Sequence, residues 1–382
     1  MNEKRVVEGR LLGELKKLIN KEGIILAGFP RFPRIFGRDS LITSWELLDF
    51  DPSIARRTLE FLSKYQGKRV NDKREEEPGK ILHEIDPKKK ENTEYHFPFP
   101  YYGSIDSTPL FLILLSFYFD KTKDEKFLRS CFANILEALN WIISYGDEDS
   151  DLFIEYERRN LKGLFHQGWK DGFNDHLHIK PPVAIVEVQG YQYLALRKAA
   201  EIFAFLGEGK FEKSLLERAE KLKEKFNKRF WMRDKNYYAL ALDGLKKQRK
   251  AITSNPGHLL FTGVCDKDKE KLVVKRLFQK DLWTPYGIRT HSAKEPDFDP
   301  LSYHLGSVWP HDNWIIAQGL KERGYKKEYQ KVKNAILKAY KELGLIPEFY
   351  GVVRGKITLK TKKKPCYLQA WSIGALINFL NS

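Results

Sequence analysis

The chain has 382 residues, of which 42% are hydrophobic and 13% aromatic, enough to bury a large core, and no run approaches the roughly 18 consecutive apolar residues of a membrane span. Its 67 Lys and Arg against 51 Asp and Glu give a net charge of +16, but the basic runs (Lys88–Lys90, Lys246-Lys247, Lys362–Lys364) lie in separate loops with no nucleic-acid motif beside them, so a nucleic-acid partner is not expected. Cys131, Cys265 and Cys366 show no CxxC spacing and no disulfide framework, and are expected to be free core thiols.

In chain order, Met1–Arg5 runs straight into a charged helix-like segment instead of an apolar signal region, which makes the cytoplasm the expected location. Abundant Lys and Glu with only two Met fit a heat-adapted protein. Apolar residues then recur at spacings of three and four, with little sustained alternation. The pattern predicts helices over 5–20, 38–49, 52–66, 107–120, 124–145, 184–206, 210–229, 255–263, 266–277, 307–322, 325–342 and 366–380. Ten of these twelve fall into adjacent pairs joined by short turns, and the first and last pair to close a ring. Helices 107–120 and 366–380 are apolar nearly all round, whereas 210–229 and 325–342 are amphipathic. Six inner helices ringed by six outer ones satisfy both kinds, so the expected fold is an all-α (α/α)6 toroid, with residues 1–382 forming a single catalytic domain. No Pro/Gly/Ser-rich boundary supports the alternative of two separate bundles.

Between pairs, the connections 67–106, 146–183, 278–306 and 343–365 exceed passive linkers, and long loops on a rigid scaffold usually carry chemistry. At or before the candidate inner helices stand Phe36–Ser40, Tyr101–Ser107, Gln167–Gly172, Thr253–Gly257, Tyr303-His304 through Trp309–Asp312, and Ile346–Gly351. Five of these six stretches combine carboxylates with aromatics. A sugar site needs that mixture, because a pyranose presents C–H faces to aromatic rings and hydroxyls to fixed polar groups. Tyr102, Trp169, Trp309 and Phe349 supply the first; Arg38, Asp39, Asp106, Lys170, His304, His311 and Asp312 supply the second. Each also has a plainer reading: Asp39 and Asp106 as helix caps, Gly37 and Gly103 as turn glycines.

Hydrolysis with inversion needs one protonated carboxyl at the leaving oxygen and a second, roughly 6.5–9.5 Å away, to activate water. Asp171 and Glu348 are the acids in two such loops. An aromatic wall at Trp169 would push the Asp171 carboxyl up, with Lys170 and Asp175 pulling in opposite directions, and Glu348 lies in an apolar segment between Pro347 and Phe349. A structural ion pair is the alternative for either. Competing chemistries are weaker. His176-x-His178 beside Asp175 lacks a dedicated metal cluster, and Gly-x-Ser-x-Gly is absent. A sugar isomerase using His304 and His311 leaves the two acidic loops unexplained, and a non-catalytic sugar-binding module would need neither acid.

At these residues the sequence resembles the catalytic domain of glycogen-debranching amylo-α-1,6-glucosidases and related inverting (α/α)6 α-glycosidases of glycoside hydrolase family 63, mannosylglycerate hydrolases among them. The matching stretches are Phe36–Ser40, Pro78–Glu84, Tyr102–Asp106, Gln167–Asp171, Val186–Tyr191, Gly306–Asn313, Pro347-Glu348 and Gln369–Trp371, in the family's order. The resemblance implies Asp171 as general acid and Glu348 as general base. It implies a sugar subsite lined by Arg38, Asp39, Asp106, Trp169, Lys170, Glu187, Gln189, Trp309 and His311, with Gln369 and Trp371 in a further matching stretch, and no metal or other cofactor. Two departures stand out: debranching enzymes carry a further N-terminal domain, and they tend to have Leu-Phe-Cys-Gly where this chain has Phe349-Tyr350-Gly351. The main expectation is thus an exo-acting α-glucosidase of the amylo-1,6-glucosidase type on small α-glycosides or oligosaccharide ends. The alternative is a hydrolase of mannosylglycerate or glucosylglycerate, whose anionic aglycone suits a basic protein. Glucose or mannose in the cleaved position turns on one or two hydrogen bonds that spacing does not specify.

Overall fold

A computed structural model of the chain describes residues 3–382. Its α-helices are α1 (Glu3–Lys17), α2 (Gly37–Glu46), α3 (Pro52–Lys64), α4 (Ser107–Thr122), α5 (Glu125–Ser130), α6 (Phe132–Asn140), α7 (Val186–Phe205), α8 (Gly209–Arg229), α9 (Leu259–Thr262), α10 (Lys267–Leu277), α11 (Pro310–Glu322), α12 (Lys326–Leu343) and α13 (Ala370–Asn381). The chain divides into two compact units: one of residues 1–33, 230–240 and 249–382, the other of 34–229 and 241–248.

The second unit holds α2 to α8. Here α4 and α7 are buried along most of their length, α4 at 12 of its 16 residues, while α8 buries only 5 of 21. That contrast follows from sequence: α4 reads Leu-Phe-Leu-Ile-Leu-Leu through its middle, whereas the apolar residues α8 buries, Leu215, Ala219, Leu222 and Phe226, form one stripe at helical spacing. Neighbouring helices pack as α2 on α3, α2 on α4, α4 on α7 and α7 on α8. The outer helices begin on side-chain caps, Asp51 accepting from the Ser53 N–H at 3.0 Å and Asp124 from the Phe127 N–H at 3.0 Å. The predicted helix 124–145 is three pieces, because the backbone leaves helical geometry at Cys131 and a π-turn over Trp141–Tyr145 closes the end.

The first unit holds α1 and α9 to α13, with α11 packed against α9, α12 and α13, and α1 against α13 as the ring-closing pair predicts. Two helices start later than their periodicity suggests. Val308 bridges Arg289 and Tyr350 in extended conformation, so α11 begins at Pro310 and not 307; Leu368-Gln369 pairs with Gly28-Phe29, so α13 begins at Ala370 and not 366. Gly28 is needed at that pairing, since a Cβ there would lie 2.0 Å from Gln369 Oε1. A 3₁₀ turn, Asn255–His258, leads into α9, which ends on Gly263 at φ +75°. Strands are two or three residues long and confined to the loops. The three cysteines are free and buried. No described helix is long and apolar enough to cross a membrane.

Candidate active site

In the second unit, the stretch Gln167–Asp171 is a tight loop closed at its base by His166 and Gly172, whose backbones pair. Gly172 keeps the closure compact; a Cβ there would meet the His176 ring at 2.9 Å. The Ile105 N–H donates to the Gln167 carbonyl at 3.1 Å, tying this loop to Tyr102–Asp106. Across the tie lies Arg38, in the first turn of α2, whose two terminal nitrogens hold two carboxylates: Nη1 to Asp106 Oδ2 at 2.9 Å and Nη2 to Asp171 Oδ2 at 2.8 Å. Asp106 also accepts from Ser104 Oγ at 2.7 Å. Asp106 stands at the N-cap of α4, but its side chain makes no capping hydrogen bond there. Asp39 is buried beside Arg38 and adds to the field that keeps the guanidinium charged despite its burial.

Asp171 is thus held in an ion pair with Arg38, a partner that the expected aromatic wall did not include. Asp171 is 27% exposed, and so in exchange with solvent. Trp169 is buried with the Lys170 ammonium 5.2 Å from its ring, and Lys170 itself is 1% exposed. Glu187, fully buried in the first turn of α7, faces the same loop: a Cβ on Gly168 would lie 3.7 Å from its Oε1. Glu84, from the Pro78–Glu84 stretch but absent from the expected site, pairs with Arg34 at 2.7 Å and Asn92 at 3.2 Å; burial pushes its carboxyl up to about 7.

Two expected site residues serve the scaffold instead. Gln189 uses its amide on backbone: Nε2 donates to the Ile154 carbonyl at 2.8 Å and the Ile185 carbonyl at 3.0 Å, and Oε1 accepts from the Ile154 N–H at 3.0 Å. The Tyr102 hydroxyl donates to the Tyr65 carbonyl at 2.8 Å. Asp175 accepts from His166 Nε2 at 3.0 Å and from the Ile179 N–H at 2.9 Å, while burial lowers the His166 and His176 imidazoles to about 4. A cavity of about 480 Å³ in this unit is lined by Glu75, Lys80, Trp141, Glu155, Arg159 and Gln167 among others, and by none of the expected site residues.

In the first unit, Glu348 is 1% exposed. The Tyr303 hydroxyl donates to its Oε1, the Cys366 N–H donates to its Oε2 at 2.9 Å, and Arg31 Nη1 stands 3.7 Å from Oε2. Burial pushes the Glu348 carboxyl up, and the phenol, Arg31, the Cys366 N–H and Lys363 pull the other way. An aromatic wall adjoins it: Trp309 stacks on Phe349 (centroids 5.2 Å, planes 17° apart) and on His304 (5.2 Å, 15°), and Tyr303 meets Trp309 and Phe349 edge-on. His311 stacks on Trp371 at 3.8 Å. Asp312 accepts from His258 Nε2 at 2.7 Å. Gln369 is buried on the strand entering α13. Tyr303, Arg31 and Cys366 were not expected around Glu348. Tyr303 had a signal, standing beside His304 in an aromatic loop; Arg31 and the Cys366 N–H had none, because a contact from a remote loop leaves no trace in spacing.

Each unit thus holds a carboxylate gripped by fixed donors, Asp171 in the second and Glu348 in the first, and in the first an aromatic wall adjoins it. The GH63 mannosylglycerate hydrolase from Thermus thermophilus, solved in complex with Tris and D-glycerate, matches with a TM-score of 0.73 at 16% identity over 98% of this chain and 100% of that one. The fold is therefore all-α, an (α/α)6 toroid. The chain belongs to the family described as the mannosylglycerate hydrolase MGH1-like glycoside hydrolase domain, whose model matches residues 33–358. The mannosylglycerate hydrolase MGH1 of Selaginella moellendorffii is 32% identical over 114 residues, 30% of this chain and 23% of that protein. The mannosylglycerate hydrolase of Rubrobacter radiotolerans is 27% identical over 161 residues, 41% of this chain and 36% of that one. The chain thus spans well under half the length of the curated relatives it matches.

Proposed function

We propose that the protein is an inverting α-glycosidase acting on a compact α-glycoside of glycerate, with Asp171 as general acid and Glu348 as general base, and that both units act as one catalytic domain. The family match over residues 33–358 carries the choice of substrate: it supports the glycerate-glycoside reading over the amylo-1,6-glucosidase type that the motifs first suggest. The charge around Tyr303, with Arg31 5.5 Å and Lys363 3.8 Å from its ring centroid, is in keeping with an anionic substrate.

In this reading Asp171 gives its proton to the glycosidic oxygen as the C1–O bond breaks. Glu348 takes a proton from the water that attacks C1 on the opposite face, so the sugar leaves as the β-anomer. Arg38 then stabilises the carboxylate that Asp171 becomes, and solvent exposure lets Asp171 reload. Burial pushes the Glu348 carboxyl up, and Tyr303 and Arg31 offset part of that push toward the ionised form a base needs. The aromatic wall packs the C–H face of the sugar.

A substrate panel tests this: mannosylglycerate, glucosylglycerate, isomaltose, panose, maltose, trehalose, kojibiose and a limit dextrin, with free hexose as readout. Release from the glycerate compounds and not from the neutral glucosides is the expected result. Release from isomaltose or panose alone would return the protein to the α-glucosidase reading.

A further inference from the structure

Of the six loop stretches singled out in the sequence, Thr253–Gly257 alone contributes nothing to the acid or base networks described. Yet its two central side chains are the ones left chemically unfinished. Ser254 and Asn255 are both 0% exposed, and among the described residues neither the Ser254 hydroxyl nor either polar atom of the Asn255 amide has a hydrogen-bond partner. Buried polar groups are nearly always paired, so three such atoms on adjacent residues mark a place where a polar ligand or ordered water completes the set.

The backbone register shows which way they lie. Short antiparallel bridges run side by side through the first unit: Thr253 with His291, Arg289 with Val308, and Val308 with Tyr350. The Ser254 N–H donates to the Thr290 carbonyl and the Thr290 N–H to the Ser307 carbonyl. Ser254, Thr290 and Ser307 therefore share one face of this belt, and alternation puts Trp309 and its cross-strand neighbour Phe349 on the same face. That face is the aromatic wall beside Tyr303 and Glu348. Asn255 follows directly, on the 3₁₀ turn packed against α11, where a Cβ on Gly257 would come 2.7 Å from Ile316. On another side of α11, at the start of α13, two more buried groups lack partners among the described residues: the Trp371 indole N–H and the Ser372 hydroxyl.

We infer that Ser254 and Asn255 are hydroxyl-reading residues of the sugar subsite. An amide offers one donor and one acceptor on a rigid plane, the pairing that two adjacent sugar hydroxyls require. A carboxylate is the wrong partner here, because these groups are neutral and the same end of α11 carries the Asp312 carboxylate. The assignment rests on the glycosidase reading above and gives that reading the residues that distinguish one hexose from another.

The test is calorimetric binding of D-mannose, D-glucose and D-glycerate to the full chain, with Asn255→Ala and Ser254→Ala beside the wild type and KM on whichever glycoside is cleaved. Removing one neutral hydrogen-bond pair weakens binding by about tenfold. Asn255→Ala is expected to lose about that much affinity for the preferred hexose, with D-glycerate binding unchanged and KM raised in parallel. Ser254→Ala, the milder change, shows the same selectivity if Asn255→Ala folds poorly. Unchanged hexose affinity with a lowered Tm would overturn the inference and leave the pair as ligands of structural water. Loss of glycerate in place of hexose binding, or a wild type that binds neither hexose, would overturn it equally. Because binding is read without turnover, a wild type that cleaves no panel substrate but loses hexose binding in Asn255→Ala keeps this inference and drops the reading of function.

Discussion

Asp171 is 27% exposed and leans on the Arg38 guanidinium, whereas Glu348 is 1% exposed and is held by a phenol, a backbone N–H and the more distant Arg31. The first arrangement suits a group that must exchange a proton with solvent each cycle. The second suits a carboxylate that must stay ionised yet meet a single water. The difference shows that neither carboxylate's surroundings are set by its own loop alone: each is gripped by a residue far off in sequence, 133 positions away for Arg38 and 45 for Tyr303.

The largest effects should come from the acids themselves. Asp171→Asn and Glu348→Gln are each expected to lower turnover by roughly 10²–10⁴-fold with folding intact, as steady-state rates and circular dichroism will show. Next is Arg38→Met, which releases both Asp106 and Asp171. A loss of about 10²-fold in kcat/KM is expected, as for a misplaced catalytic group. Tyr303→Phe is smaller, about tenfold. Tyr303 donates to the Glu348 carboxylate, so its loss should move the acidic limb, where the base becomes protonated, to higher pH.

Stability should move in the opposite direction from activity at Glu348. Its folded-state affinity for a proton is raised above the unfolded value, so its contribution to stability is present at low pH and lost as pH rises through the folded value. Glu348→Gln removes that penalty, and its Tm at neutral pH should equal or exceed that of the wild type. Gln189→Ala is the converse and the smallest in activity. With three hydrogen bonds to backbone removed, Tm should fall by several degrees while KM stays within about twofold.

The helices were largely legible because burial on both faces or on one leaves a direct mark on composition, as the contrast of α4 with α8 shows. Their starts were less so. Pairing with a remote strand holds Val308 and Leu368 extended, against a local pattern that reads as helix. Of the candidate residues, the sequence pattern singled out the loops that carry Asp171, Trp169, Trp309 and Glu348. It assigned Gln189 and Tyr102 to substrate because residue type does not say where an amide or phenol points, and both point at backbone. For Asp106, spacing left cap and site open, and only the structure shows its carboxylate on Arg38 instead of the first turn of α4.

The most direct test of an acid on one side and a base on the other is the response of each variant to leaving-group ability. On the natural glycoside both Asp171→Asn and Glu348→Gln should be nearly inactive. On an aryl α-glycoside whose phenolate departs without protonation, Asp171→Asn should recover much of the wild-type rate and Glu348→Gln should not. Recovery in both variants, or in Glu348→Gln alone, would contradict the assignment.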